Sequence, residues 1–356
     1  MAVLGTTNVV VSQSIPNVDG RGQSLRAACA LVALLLGSGG CTRPNALRLQ
    51  PSGAPLVVQH AGLYPETLIY DAKRDKFLLG SFREGAVYEV DSAGRAARIV
   101  DDPRLCSVLG IAIDAERNRL WAVNADLGAC ARPSAAGPKQ LAGVGVYDLS
   151  SGAPLLYADL APLLPGPHLL NGIALDGGGN AYISDSFSPA IYKVDAAGNP
   201  SLFLQSEQFR GAGINLNGVV VHPDGYLLVV KKSDGVLFKI PLAEPARFSR
   251  VLVAERFVGG DGLVLVGKTE LLIVSNQVPQ QSANSASALS SDDAWASATL
   301  RAVEPLGTAY PTTAALRGGA LYVVQSQLDE LIQAPAERKA ELHAQALIRQ
   351  IGSFAP

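Results

Sequence analysis

A short phrase recurs six times in this chain of 356 residues, and one position within it carries side chains able to do chemistry. The phrases are YPETLIYD (64–71), SVLGIAID (107–114), LLNGIALD (169–176), NLNGVVVH (215–222), GGDGLVLV (259–266) and YPTTAALR (310–317). The shared position reads Glu66, Leu109, Asn171, Asn217, Asp261 and Thr312. Two carboxylates and two carboxamides make a set of hard oxygen donors, the kind Ca2+ takes roughly six to eight at a time with water completing the shell. No histidine or cysteine holds the position, which argues against an imidazole or thiolate zinc site. An Asn or Asp before Gly at the start of a strand is, taken singly, an ordinary turn or capping residue. Four in one register are not what scattered turn residues produce, and Leu109 and Thr312 show that the repeat does not itself demand a donor there.

The elements that position these residues follow from the intervals. The marked positions lie 43, 62, 46, 44 and 51 residues apart, the length of propeller blades of four strands each. Every blade aims the start of its innermost strand at one axis, so residues distant in sequence meet in a ring. Within the repeats, apolar runs such as TLIYD, FLLGSF and AVYEV, or GVVVH, YLLVVKK and VLFKIP, are broken by turn residues. Pro223-Asp224-Gly225 and Gly177-Gly178-Gly179-Asn180 supply the turn chemistry of tight hairpins. The expected fold is all-β, a six-bladed β-propeller over 61–356. Length alone suggests about two domains, but a blade cannot bury its faces without neighbours. A hydrophobic content of 48% is ample for a large core, and a net charge of −2 without a basic stripe excludes nucleic acid as an electrostatic partner. Only Pro335–Gln350 has the composition of a helix, and a closing strand with a tail fits it equally.

Three stretches interrupt the rhythm: Asn124–Gly143, Gln205–Leu216 and the Ser/Ala-rich Gln277–Ala294. Loops of this length in compact domains are commonly functional. The first and third follow second strands, so they are expected to roof a central pocket on the ring face and to choose its substrate.

At the N-terminus, residues 1–41 read as an extension and an export signal, and 42–60 as a linker. Arg21 and Arg26 precede the apolar run Ala27–Gly37 and then Ser38-Gly39-Gly40-Cys41, a lipoprotein-type pattern. The run falls short of the roughly 20 apolar residues needed to span a bilayer. The expectation is a periplasmic or membrane-anchored lipoprotein, or a secreted protein, with Cys41 the candidate lipid anchor. Cys106 and Cys130 flank an antiparallel strand pair, so a disulfide between them is geometrically reasonable in an oxidising compartment.

With Glu66 in the first phrase, Asn-Gly steps at 171–172 and 217–218 and an Asp-Gly step at 261–262, the chain resembles the SMP-30/gluconolactonase/LRE-like family. These are calcium-dependent lactonases and phosphotriesterases that include gluconolactonase and regucalcin. The resemblance covers roughly Leu63–Ile351, and GLYPETLIYD and HPDGYLLVV are most similar to an uncharacterised plant and bacterial branch. It implies that Glu66, Asn171, Asn217 and Asp261 hold a catalytic divalent cation, Ca2+ or another. Departures are present: the family's Glu-Gly-Pro is Glu66-Thr67-Leu68 here, and its Pro-Asn-Gly and Pro-Asp-Gly are Leu170-Asn171-Gly172, Leu216-Asn217-Gly218 and Gly260-Asp261-Gly262. The ligand types are kept, while specificity for gluconolactone is not implied.

The function expected from this is metal-dependent hydrolysis of a small-molecule lactone or related ester, the metal acting as Lewis acid. Asp261 is the first candidate for the base that activates water. His168, three residues before Asn171, is the second, since histidine titrates in the useful range; a loop histidine without a role fits it equally. Asp185, Ser186, Asn124, Lys231 and Asn276 end second strands on the same side. There is no Gly-x-Ser-x-Gly elbow for a serine hydrolase. The alternative is a non-catalytic ligand- or protein-binding propeller in which the metal is a structural pin.

Overall fold

Each of the six phrases opens the innermost strand of its own antiparallel sheet in the computed structural model, which describes residues 47–278 and 281–354. The inner strands are Pro65–Asp71, Ser107–Asp114, Leu170–Leu175, Leu216–His222, Gly260–Val266 and Pro311–Arg317. Sheets one to five each hold four strands in chain order. The sixth draws its third strand, Leu347–Phe354, from the C-terminal end and its outer strands, Leu47–Leu49 and Leu56–Val57, from the N-terminal side. Leu47 pairs with Phe354 and Leu56 with Ile348, which closes the ring. The architecture is an all-β six-bladed propeller. From Leu47 onward, the segment expected as a linker is part of the last blade. The export signal and Cys41 lie outside the described residues.

Neighbouring sheets are held face to face by large apolar side chains. Between blades two and three, Trp121, Val146, Leu170, Ile183 and Tyr192 are completely buried in one cluster. Each such side chain stabilises the fold by roughly 1.5–3 kcal/mol relative to an exposed one, and Trp121→Ala would cost about 3–5 kcal/mol through the cavity left behind.

The inner strands share a local irregularity that the site depends on. In all six, pairing with the second strand slips at the marked residue, between Pro65 and Thr67, Val108 and Ile111, Leu170 and Ile173, Leu216 and Val219, Gly260 and Leu263, and Pro311 and Ala314. A bulge takes a residue out of the ladder and re-aims its side chain. Gly172, which follows Asn171, has a spacing role here. A Cβ built on it would lie 2.5 Å from the carbonyl oxygen of Asn217 in the next blade, so only glycine lets the inner strands approach this closely.

One expectation about the loops changes, and one alternative left open is resolved in favour of a closing strand. The interruption placed over Gln277–Ala294 contains a strand, Ser285–Ser290, paired along its length with Glu270–Ser275. Its sequence, SASALS, has weak strand propensity. Its position as a buried third strand between two partners overrides that. Over Pro335–Gln350, a 3-10 turn at Ala336–Glu341 precedes the closing strand, and the short α-helix lies earlier, at Leu328–Gln333. The Cys106–Cys130 disulfide is present, with Cα atoms 5.4 Å apart, and pins the Asn124–Gly143 excursion to the start of blade two. Asp126 lies beside these sulfurs, but a disulfide has no thiolate to offer a metal.

Candidate active site

The six bulges bring their side chains to one axial cavity of about 100 Å³. Glu66, Asn171, Asn217 and Asp261 line it together and are all buried, and Leu109 and Thr312 complete the ring. Thr312 Oγ1 is buried without a hydrogen-bond partner among the described residues.

In blades three, four and five the residue just after the second strand supplies a second tier of side chains, Ser186, Lys232 and Asn276, which bond to ring residues. The backbone register at this position is regular: the N–H of Ser186 donates to Leu169 at 2.8 Å, that of Lys232 to Asn215 at 2.8 Å, that of Asn276 to Gly259 at 3.0 Å and that of Ser326 to Tyr310 at 2.9 Å. Lys232 Nζ donates to Asp261 Oδ2 at 2.8 Å and to Asn276 Oδ1. Asn276 Nδ2 donates to the same Asp261 oxygen and, at 3.0 Å, to the carbonyl of Pro311. Asn171 Nδ2 donates to Ser186 Oγ at 3.3 Å, and that hydroxyl donates to the carbonyl of Leu216 at 2.6 Å.

Lys232 is the ring-facing residue that the strand pattern does not single out. The strand pattern puts Lys231 at the blade-four strand end. Side chains alternate along a strand, so neighbouring residues face opposite ways. Lys231 Nζ donates to the carbonyls of Gln208 and Arg210 at 3.2 and 2.7 Å and pairs with Asp234 at 3.0 Å, away from the ring. The signal that finds Lys232 is the position of Ser186 and Asn276, counted from the ring residue of each blade.

The charges on the axis are strongly coupled. Burial, and then the Asp261 carboxylate, push the Glu66 carboxyl well above the usual glutamate range, and Lys232 only partly opposes this. Burial alone would lower the Lys232 ammonium. The Asp261 carboxylate, with smaller contributions that include Tyr310 and Glu66, outweighs burial and holds Lys232 above its ordinary value. Tyr310, over whose ring Lys232 Nζ sits at 5.8 Å, is raised mainly by burial.

Apolar residues roof the polar floor. Leu127 from the first interruption, Ile214 from the second, and Leu328 and Ile332 from the short helix leave about 30 Å³ above the ring, room for a water or two. None of the described residues of the third interruption lines that space. On the opposite face the axis opens through a wider mouth of about 480 Å³, walled by Ile69, Ile111, Ile173, Val219, Leu263 and Ala314 with their neighbours.

His168 is placed elsewhere. Its Nδ1 lies 2.8 Å from Asp185 Oδ2, both side chains are buried, and it lines none of these axial spaces. Asp185 Oδ1 accepts the backbone N–H groups of Leu169, Phe187 and Ser188 at 2.9–3.0 Å. The pair therefore stitches the loops of blade three. Burial lowers the affinity of His168 for its proton, but the bond and charge of Asp185 raise it further, for a net upward shift.

The four oxygen-bearing side chains have the donor chemistry of a hard-cation site, but Lys232 does not. A divalent ion on Asp261 would stand about 4 Å from the ammonium and be repelled by roughly 8 kcal/mol at an effective dielectric of about 20. That is about the whole binding free energy of a micromolar site. With Lys232 on Asp261, these residues do not fit a divalent ion.

No protein-family model matches the chain, and no curated protein matches it in sequence. Solved structures do match in fold. The major allergen Mala s 1 of Malassezia sympodialis superimposes with a TM-score of 0.66 at 18% identity, over 84% of this chain and 96% of that one. The calcium-binding protein regucalcin of Agrobacterium tumefaciens gives 0.55 at 16%, over 87% and 97%. A gluconolactonase of Xanthomonas campestris gives 0.55 at 12%, over 86% and 95%. At these identities the likeness establishes the architecture alone: the chain shares its propeller fold with proteins that include a gluconolactonase and a regucalcin.

Proposed function

We propose that the axial ring is the active centre of a hydrolase acting on a small molecule with a lactone or related ester group. The observation that carries this reading is the convergence of Glu66, Asp261, Lys232 and two carboxamides, from four different blades, on one buried point. Burial raises the proton affinity of Glu66, which suits it to the role of acid. Asp261, bonded to Lys232 and Asn276, is the carboxylate that takes a proton from water as it attacks the carbonyl carbon. Lys232, with the carboxamides of Asn171 and Asn217, opposes the negative charge growing on the carbonyl oxygen. Glu66, whose proton affinity burial raises, returns a proton to the departing alkoxide. His168 is the weaker candidate base, since it bonds to Asp185 outside the axial spaces.

The resemblance to the calcium-dependent family, and the regucalcin among the fold neighbours, favour a divalent cation such as Ca2+. Lys232 opposes one, so no step is routed through a metal. Export, with an anchor at Cys41, belongs to the same reading and rests on the sequence.

The second reading is a non-catalytic binding propeller, favoured by one observation: the roof leaves only about 30 Å³ above the ring, too little for a lactone unless it moves. Hydrolysis of a panel of lactones and aryl esters by the intact protein separates the two. Turnover that is lost in Asp261→Asn, with the circular dichroism spectrum unchanged, supports the hydrolase. No turnover on any member of the panel moves the assignment to the binding module.

A further inference from the structure

We infer that Lys232 is the resident cation of the axial site, standing where a divalent ion would otherwise neutralise Asp261 and Glu66. The inference rests on the ring being a functional centre, and four features carry it. The ammonium lies 2.8 Å from Asp261 Oδ2 and also donates to Asn276 Oδ1. Both partners of the ion pair are sealed from solvent, with side chains 8% and 6% exposed. The backbone of Lys232 is fixed on both sides, its N–H on the Asn215 carbonyl at 2.8 Å and its C=O taking the N–H of Gly259 at 2.9 Å, so the stem starts from a set point beside the axis. The axial charges are also already balanced to within one unit, two carboxyl groups against one ammonium.

A buried carboxylate must be paired with a cation to be tolerated. A chain that carries the cation covalently keeps its site assembled at any calcium concentration and in the presence of chelators. A lysine in place of an ion also changes what the site can do. The ammonium donates hydrogen bonds in fixed directions from a tethered point; it has no open coordination positions with which to bind and polarise water. Water activation then falls to Asp261.

The test is direct cation binding by the full-length protein, using calcium by calorimetry and terbium by luminescence. The wild-type protein should show no saturable binding below about 1 mM, the weak end of protein calcium sites. Lys232→Met, which removes the charge and keeps the stem, should gain a single site at least about 10-fold tighter than that limit, and adding Asp261→Asn should abolish it. Stoichiometric binding by the wild type with micromolar affinity would overturn the inference, as would a Lys232→Met protein that folds and gains nothing. Should Lys232→Met fail to fold, Lys232→Gln and the wild-type titration decide the matter.

The outcome is separable from the hydrolase reading. Hydrolysis that a chelator abolishes and calcium restores overturns the resident cation and leaves the hydrolase standing. Absence of hydrolysis, with no wild-type calcium binding and a gained site in Lys232→Met, overturns the hydrolase and leaves the resident cation standing.

Discussion

Asp261 and Lys232 meet through a single carboxylate oxygen. Oδ2 takes the lysine Nζ at 2.8 Å together with the amide of Asn276, while Oδ1 has no donor among the described residues. One oxygen holds the group in place. Asp261→Asn keeps the shape and removes the carboxylate that the proposed mechanism uses as base. Lactone hydrolysis should fall by about 100-fold or more with little change in KM, the scale of losing one preorganised catalytic group. A steady-state comparison showing near-normal kcat would remove Asp261 from the mechanism.

Glu66 predicts a pH dependence of stability. Its proton affinity is raised on folding, chiefly by burial and then by Asp261. Below the ordinary glutamate value of 4.5 the group is protonated in both states, and its contribution is fully present. As pH rises above that value the unfolded chain releases the proton while the folded one keeps it, so stability is lost up to the folded pKa. Glu66→Gln cannot ionise. Its melting temperature should therefore fall less than that of the wild type between pH 5 and 8; parallel curves would show that Glu66 titrates normally.

Gly172→Ala tests the spacing between inner strands. The added Cβ meets the Asn217 carbonyl at 2.5 Å and must push two blades apart, a cost of about 1–3 kcal/mol for overpacking. Urea unfolding should show it, and hydrolysis should drop because Asn217 moves. Gly177→Ala, where nothing lies within 4 Å, is the control and should change stability by less than about 0.5 kcal/mol.

The Cys106–Cys130 bridge spans a sequence separation of 24 residues. Constraining a loop of that length is worth about 3 kcal/mol to the folded state. Reduction, or replacement of both cysteines by alanine, should lower the melting temperature and speed proteolysis within Asn124–Gly143. An unchanged melting curve in reductant would mean that the loop is held by its other contacts.

The ring was legible because its register repeats: a residue at one fixed place in every blade must face one axis, whatever its type. The bulges beneath it were not, since Glu66-Thr67 and Asn171-Gly172 carry no common signature for slipped pairing. Lys232 was hidden by a one-residue ambiguity. In YLLVVKK both lysines fit a strand end, and only the ladder, in which Lys231 pairs with Leu216 and Val236, shows which one passes to the axis. Ser285–Ser290 was hidden by its own composition. Leu47–Leu49 was hidden by distance, for a three-residue strand has no local mark when its partner is at the other end of the chain.

That last pairing makes the propeller a hoop fastened by its two ends. Every ring residue, from Glu66 to Thr312, lies between the clasping strands, and none of them belongs to the clasp. Glu66 and Thr312 stand on the two sides of the seam, in blades one and six. The site therefore depends on a pairing in which it has no part. A chain cut short before Leu347 would keep every residue of the ring and lose the strand that closes the circle around them.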